Sequence, residues 1–316
     1  MTPRRLGIDV GGTKCLAVVV DDAGDVLAAA RRPTPHGEAA LIDTLVAVIH
    51  DLSDHGSPLT LSEIAAVGLG VPGLIGDGII HASPHLPGVI EFAVGAALSA
   101  RLHVPVVVDN DATCAALAEW QLGAGRGPNG PVGDMVMVTM GTGIGGGIIS
   151  GGRLQRGAHG FAGEFGHMMV DPAGPPCPCG RRGCWERYTS GSGLARLASD
   201  AATAGRLRLA ESLTRQIRGE DVVRWAEGGD VQASAVLDEF AWWVGVGLAT
   251  LANTLDPERF VLGGGLVTAA DLFLDRVRAA LRSCLYAGEH RVIPDVVAAE
   301  LGERAGAIGA ALLPAR

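Results

Sequence analysis

The sequence predicts an α/β protein of two lobes with a cleft between them. Three observations carry that expectation. The chain has 316 residues, more than one typical domain. It opens on short alternating strands and then mixes buried strands with helices, and it does so twice. Three glycine-rich turns, "DVGGTK" (9–14), "GTGIGGG" (141–147) and "LGGGL" (262–266), each follow a buried strand.

The elements follow in order. "RLGIDV", "CLAVVVDD" and "DVLAAARR" alternate and are rich in Val, Ile and Leu, so they read as three strands joined at "GGTK" and "DAGD". Residues 38–52 repeat their apolar positions with helical period. "IAAVGLGVPG" reads as a buried strand ended by Pro72-Gly73, and "VPVVVDND" as another. "ATCAALAEWQLG" is a helix stopped by Gly123, and residues 123–133 read as a loop. "DMVMVTM" is a strand. Residues 189–256 are expected to be mostly helical, with "DEFAWWVGVGLATLANTL" buried nearly all round and Trp242 and Trp243 in the core. "RFVLGGGLV" is a strand into a turn. A helix near 269–286, a strand near 292–298 and a helix near 304–315 end the chain.

Composition narrows the partners. Hydrophobic residues make up 48% and charged residues 19%, enough to bury a sizeable core. The net charge of -9 gains nothing from counterion release, so nucleic acid is not an expected partner. Asp9 and Lys14 interrupt the first apolar run and no cleavage site follows, so no signal peptide is expected. No stretch reads as an uncharged membrane span, so no membrane partner is expected. The expected location is the cytoplasm, where thiols stay reduced.

Three of the six cysteines fall in "HMMVDPAGPPCPCGRRGCWE", spaced as His167-x9-Cys177-x-Cys179-x4-Cys184. Cys177 and Cys179 are too close for an easy mutual disulfide, and a reducing cytosol disfavours the other pairings. Three thiolates and an imidazole satisfy a tetrahedral zinc ion, and a saturated set of four is structural. Idle reduced thiols are the alternative. Glu164 and Glu186 bracket the cluster, so a pinned loop would fix both. Cys15, Cys114 and Cys284 read as small buried hydrophobes.

Successive backbone N–H groups in glycine turns make concave sites for phosphate oxygens. No Gly-Lys pair exists, which excludes a Walker A loop. Residues 141–146 match G-x-G-x-x-G, but the run continues as strand and turn instead of opening a helix, against a dinucleotide fold. Lys14 is the only lysine in the chain and adjoins the first turn. A compact charge for phosphate is one reading and chance at a surface turn the other. In "VVVDNDA", Asp109, Asn110 and Asp111 end a strand before a helix. Helix capping and a general base at a sheet edge both fit.

In this order, strand–"DVGGTK"–strand, "VPG", "DNDA", "GTGIGGG", "GEFGH", the cluster of one histidine and three cysteines, and "CWE" resemble the ROK family of bacterial sugar kinases and repressors, over almost the whole chain. "CWERYTSGSGL" is most similar to the family's glucokinase branch. The resemblance implies an actin-like, ribonuclease-H-like ATPase fold with an inter-lobe active-site cleft. It implies a small lobe of residues 1–112 plus 300–316 and a large lobe of 113–299 carrying the zinc loop. Asp9, Gly11, Gly12, Thr13 and Lys14 would meet the β/γ-phosphates of ATP, and Asp9 would be an outer partner of Mg²⁺. Gly141, Thr142 and Gly143 would form the second phosphate turn, and Gly263, Gly264 and Gly265 would lie near adenosine. Asp111 would be the catalytic base. Gly73, Asn110, Asp111, Glu164, His167 and Glu186 would bind the sugar, with His167 also bound to structural Zn²⁺ alongside Cys177, Cys179 and Cys184. The family also implies a homodimer or homotetramer.

The implied activity is phosphorylation of glucose by ATP, with polyphosphate a possible donor. Another hexose or N-acetylhexosamine (N-acetylglucosamine, N-acetylmannosamine, fructose) is the alternative acceptor. Many relatives carry Asn-Leu-Pro-Gly-Trp where this chain has "HLPGV", so His85 and Val89 bear on sugar choice. A sugar-responsive repressor is disfavoured, because the first strand begins by about residue 4 and leaves no room for a helix-turn-helix.

Overall fold

The computed structural model describes residues 4–54, 64–209 and 214–315. They form two compact units. The first comprises residues 1–131, 147–163 and 300–316, and the second residues 132–146 and 164–299. The boundary differs from a cut at residue 112, because the helix that follows Asn110 packs against the last helix of the chain within the first unit.

The first unit holds β1 (Arg5–Val10), β2 (Lys14–Val20), β3 (Val26–Pro33), α1 (Glu38–Asp54) and β4 (Val67–Val71). Next come β5 (Leu74–Gly76), β6 (Ile79–Ala82), β7 (Ile90–Phe92), α2 (Val94–Leu102), β8 (Val106–Asn110) and α3 (Asp111–Leu122), then the two-residue strands β9 (Arg126–Gly127) and β10 (Gly130–Pro131). The main sheet has the order β3-β2-β1-β4-β8, with the first three strands antiparallel and β1, β4 and β8 parallel. β2 and β4 are buried almost throughout, which is why they read as continuous apolar runs. The meander β5-β6-β7 and the β9–β10 pair were not anticipated. Their strands span two to four residues and are half-exposed, so they carry no run of apolar alternation.

The second unit begins with β11 (Met135–Met140) and β12 (Ile144–Ser150), which leads into β13 (Arg153–Gln155) of the first unit. The helices α4 (Glu186–Thr189), α5 (Gly191–Thr203), α6 (Gly219–Glu227) and α7 (Val231–Leu255) follow, then β14 (Arg259–Gly263), α8 (Ala270–Cys284) and β15 (Asp295–Ala298). The chain ends in α9 (Ala305–Leu312) of the first unit. The second sheet runs β13-β12-β11-β14-β15, with β11, β14 and β15 parallel. Its order repeats the first: hairpin strands on one side of the opening strand, parallel strands on the other. Residues 210–213 of the expected helical stretch lie outside the described residues.

Two expectations need correction. Trp242 is 46% exposed, and Trp243 is only partly buried, because it stacks on Tyr188 at 3.9 Å instead of entering the core. Cys284 is half-buried, whereas Cys15 and Cys114 are fully enclosed. α7 is long and apolar enough to cross a membrane by length and composition, but Asp238 and Glu239 interrupt it, in keeping with the expectation that no uncharged run reaches that length. Of its most apolar window, 61% is buried inside the protein, as in a core helix. Trp185 shows why α7 carries Gly247: a Cβ there would stand 2.0 Å from the indole ring. The buried Trp185 donates its Nε1–H to Trp243 O at 2.8 Å, which anchors the "CWE" stretch to α7.

Candidate active site

In the first unit the candidate residues gather where β1, β4 and β8 end. Gly11 N–H closes the β1–β2 turn on Lys14 O at 2.8 Å. Asp9 on β1 and Asp111 at the start of α3 face each other across Gly70 of β4. A Cβ on Gly70 would lie 3.6 Å from Asp9 Oδ1 and 3.5 Å from Asp111 Cα. The Asp9 carboxyl is pushed up to about 8, first by burial and then by the Asp111 charge, with Lys14 pulling the other way. Gly306 in α9 leaves the room, since its Cβ would be 2.7 Å from Asp9 Cγ.

The Asp-Asn-Asp stretch divides its labour. Asp109 is buried, accepts Asn110 N–H at 2.9 Å and pairs with Arg156 Nε at 2.6 Å. Asn110 is the helix cap: its Oδ1 accepts Thr113 N–H at 3.1 Å, and its Nδ2 donates to Gly73 O at 3.2 Å. That leaves Asp111 to point elsewhere. Its carboxyl is raised by burial, against the Ala112 N–H at 2.8 Å and the nearby His85, which lower it. A half-buried carboxylate with a raised pKa suits a general base. His85 also lies against the first turn, 3.5 Å from a Cβ at Gly12. Lys14 is ion-paired with Glu303.

In the second unit the sulfur cluster assembles. One ligand atom each from His167, Cys177, Cys179 and Cys184 lie within 4.8 Å of one another. Zinc–sulfur bonds of ~2.3 Å in a tetrahedron place ligands about 3.8 Å apart, and Cys179 Sγ and Cys184 Sγ are 3.6 Å apart. The donor set and its spacing fit a zinc ion. Tight turns build the loop: Cys177 N–H donates to Arg181 O and Gly180 N–H to Cys177 O. Burial pushes the Cys179 thiol up, but the Arg181 N–H and the other two sulfurs outweigh it, and its pKa is lowered. Glu186 starts α4 beside the cluster: Cys177 Sγ donates to its Oε1 at 3.1 Å, and His167 Nδ1 is 3.9 Å from the same oxygen. Glu164 precedes the one-turn helix Phe165–His167, and its carbonyl accepts His167 N–H at 3.2 Å.

The turn of residues 141–143 closes through Gly141 N–H to Gly143 O at 3.0 Å. Gly264, at φ +88°, packs against the backbone of Met140, so the turns after β11 and β14 adjoin. Sequence reasoning missed Arg156, Gly70, Gly306, Ser190 and Ser192. Each acts on a partner far along the chain, except Ser190, and the "TSGSG" stretch of the two serines was read only as a branch marker.

A model of the ROK family matches residues 5–316. The chain belongs to the ROK family. It is 38% identical over 314 residues to the glucokinase of Streptomyces coelicolor, covering 97% of this chain and 96% of the relative. It is 34% identical over 318 residues to the N-acetylmannosamine kinase of Escherichia coli, covering 98% and 97%. Among solved structures, the ROK family glucokinase from Streptomyces griseus in complex with glucose and AMPPNP is similar at a TM-score of 0.84 and 38% identity over 98% of each chain. With such ROK relatives the chain shares the actin-like, ribonuclease-H-like ATPase fold, visible in its two sheets of like order.

In this ROK chain Asp9 should leave a signature in stability. Its folded-state pKa of about 8 exceeds the ordinary 3.8, so the folded state holds a proton that the unfolded state has lost. Stability from this group is full below about pH 4 and is lost as pH rises toward about 8. Asp9→Asn has no proton to lose. Melting temperatures without ligand should therefore diverge in favour of Asp9→Asn as pH rises through that window. Parallel curves would mean that Asp9 ionises as an ordinary carboxylate.

Proposed function

We propose that the chain is an ATP-dependent hexose kinase that phosphorylates glucose on its 6-hydroxyl. The observation that carries this reading is the pairing of Asp111 with Asn110: the asparagine takes the cap, which leaves a half-buried carboxylate for proton transfer. Near full-length similarity to a glucokinase solved with glucose and an ATP analogue supports the substrate pair.

Asp111 takes the proton of the 6-hydroxyl as that oxygen bonds to the γ-phosphorus. The bond to the ADP oxygen breaks, giving glucose 6-phosphate and ADP, and the proton passes on to solvent. Mg²⁺ would neutralise the phosphate charge. In the first unit, Gly11, Gly12 and Thr13 offer backbone to β/γ-phosphates, and Asp9, once ionised, would help to hold Mg²⁺. Lys14 reaches phosphate by exchanging its Glu303 partner. In the second unit, Gly141, Thr142 and Gly143 take phosphate, and Gly263, Gly264 and Gly265 lie toward adenosine. For sugar hydroxyls, which need fixed donors and acceptors, the first unit offers Gly73 and Asn110, and the second offers Glu164, His167 and Glu186.

Zinc on His167, Cys177, Cys179 and Cys184 fixes the loop and the imidazole ring. A zinc-bound thiolate donates no hydrogen bond, which leaves Glu186 Oε1 as an acceptor for a hydroxyl. An enzyme that consumes ATP and keeps thiolate ligands belongs in the cytoplasm.

A second reading, an N-acetylhexosamine kinase, is favoured by the 34% identity to an N-acetylmannosamine kinase and by His85 beside Gly12 and Asp111. A coupled assay with Mg-ATP over glucose, mannose, fructose, N-acetylglucosamine and N-acetylmannosamine separates the two. Glucose should lead in kcat/KM. A preference of about tenfold or more for another sugar, ~1.4 kcal/mol at the transition state, would replace glucose.

Asp111→Asn should lower kcat by about 10²–10⁴-fold with the fold intact. A near-normal kcat would reduce Asp111 to a helix-start residue. Elemental analysis of desalted protein should give about one zinc per chain. Cys179→Ser should lose zinc and glucose affinity together, and full activity in zinc-stripped protein would contradict the structural role.

A further inference from the structure

All three residues of the turn 141–143 are met by the segment that follows the cysteine loop. Gly191 N–H donates to Gly141 O at 2.8 Å. Ser192 Oγ donates to Thr142 O at 3.1 Å. Glu186 Oε2 stands 3.1 Å from the position of a Cβ on Gly143. Behind these contacts, Ser190 Oγ donates to Glu186 O at 2.7 Å and lies 2.9 Å from Ser192 Oγ. Ser190 commits its one proton to Glu186 O, which leaves the Ser192 proton for Thr142 O or Ser190. Glu186 Oε1 accepts from Cys177 Sγ. With zinc bound Cys177 has no proton to donate, and the path from the cluster to the turn then runs through the chain, Cys184 O accepting Arg187 N–H at 3.0 Å at the start of the helix that carries Glu186.

The peptide geometry gives the path a purpose. In a trans peptide the C=O and the following N–H point in opposite directions. Holding Gly141 O toward Gly191 turns the Thr142 N–H the other way. Holding Thr142 O toward Ser192 does the same for the Gly143 N–H. Two successive N–H groups are then aimed away from the strap, the arrangement in which backbone cradles an anion.

We propose that Ser192 is a positioning residue for the nucleotide, and that through Ser190 and Glu186 it makes the nucleotide affinity of the 141–143 turn depend on metal in the cysteine cluster. The proposal rests on the kinase reading for its ligand. The strap itself is independent of that reading.

The test uses the zinc-loaded full chain, its chelator-stripped form, and the variants Ser192→Ala and Ser192→Thr. Zinc-loaded Ser192→Ala should bind Mg-ADP about 3- to 10-fold more weakly, the value of one neutral hydrogen bond. KM for ATP should rise while KM for glucose stays within about twofold, and Ser192→Thr, which keeps the hydroxyl, should restore both. Zinc removal should weaken Mg-ADP binding to the parent by about fivefold or more, but add little in Ser192→Ala. Without nucleotide, amide exchange at Thr142 and Gly143 should quicken in Ser192→Ala and in zinc-stripped parent. Unchanged exchange overturns the strap. Quickened exchange with unchanged Mg-ADP affinity, or equal zinc effects on parent and Ser192→Ala, overturns the coupling. A zinc-loaded parent that shows the exchange pattern but binds no Mg-ADP overturns the kinase reading and the nucleotide role with it.

Discussion

Two carboxylates held near each other at one sheet edge set the terms for the first unit. Asp9 lies on β1 and Asp111 follows the end of β8, with β4 between those strands. Gly70 on the middle strand lies between them, where a Cβ would touch Asp9 Oδ1 and the Asp111 backbone and crowd Cys114 Sγ at 3.2 Å. A Cβ on Gly306 would likewise crowd Asp9 on the side of α9. Like charges in a partly enclosed place resist joint ionisation, so burial and Asp111 together raise Asp9. Lys14, the Ala112 N–H and His85 each relieve part of that cost. Carboxylates that resist joint ionisation cost stability, which is the usual mark of a functional site.

Much of this was legible in the sequence, for physical reasons that differ between elements. Buried strands such as "CLAVVV" and "VGLGV" announce themselves because both faces must be apolar. The meander after Gly73 does not, because Leu74 and Ile90 face outward and its strands are too short for alternation to register. α7 misled in another way. A helix apolar nearly all round was read as wholly buried, yet Trp242 faces solvent, while Gly245 and Gly247 mark where Ala280 and Trp185 press closest.

The site follows the same division. The cysteine cluster was readable because its four ligands lie within eighteen residues, so spacing alone nearly determines their geometry. The Asp-Asn-Asp stretch was not, since capping and catalysis use the same side chains. Contacts distant in sequence separate them: Arg156, 47 positions on, ties down Asp109, and Gly73, 37 positions back, holds Asn110. Lys14 stood out as the only lysine, but its partner Glu303 is 289 positions away.

The two sheets repeat one topology with unlike chemistry. Each places a tight turn between its opening strand and the hairpin partner, at residues 11–13 and 141–143. The first turn is flanked by Asp9 and Lys14 and can answer a cation or a phosphate with charge. The second is Gly-Thr-Gly, with no ionisable group of its own. Backbone N–H groups and the Thr142 hydroxyl are all it can offer, and they bind best if their direction is set beforehand. Both turns are held through their carbonyls: Gly11 O accepts the Thr34 hydroxyl at 2.6 Å and Thr13 O accepts Thr34 N–H at 3.1 Å, while carbonyls 141 and 142 are bonded to the start of α5. The cysteine loop therefore serves two ends in its own unit. It fixes His167 and Glu186 directly, and through the serines that follow it orients a turn that has no charge with which to orient itself.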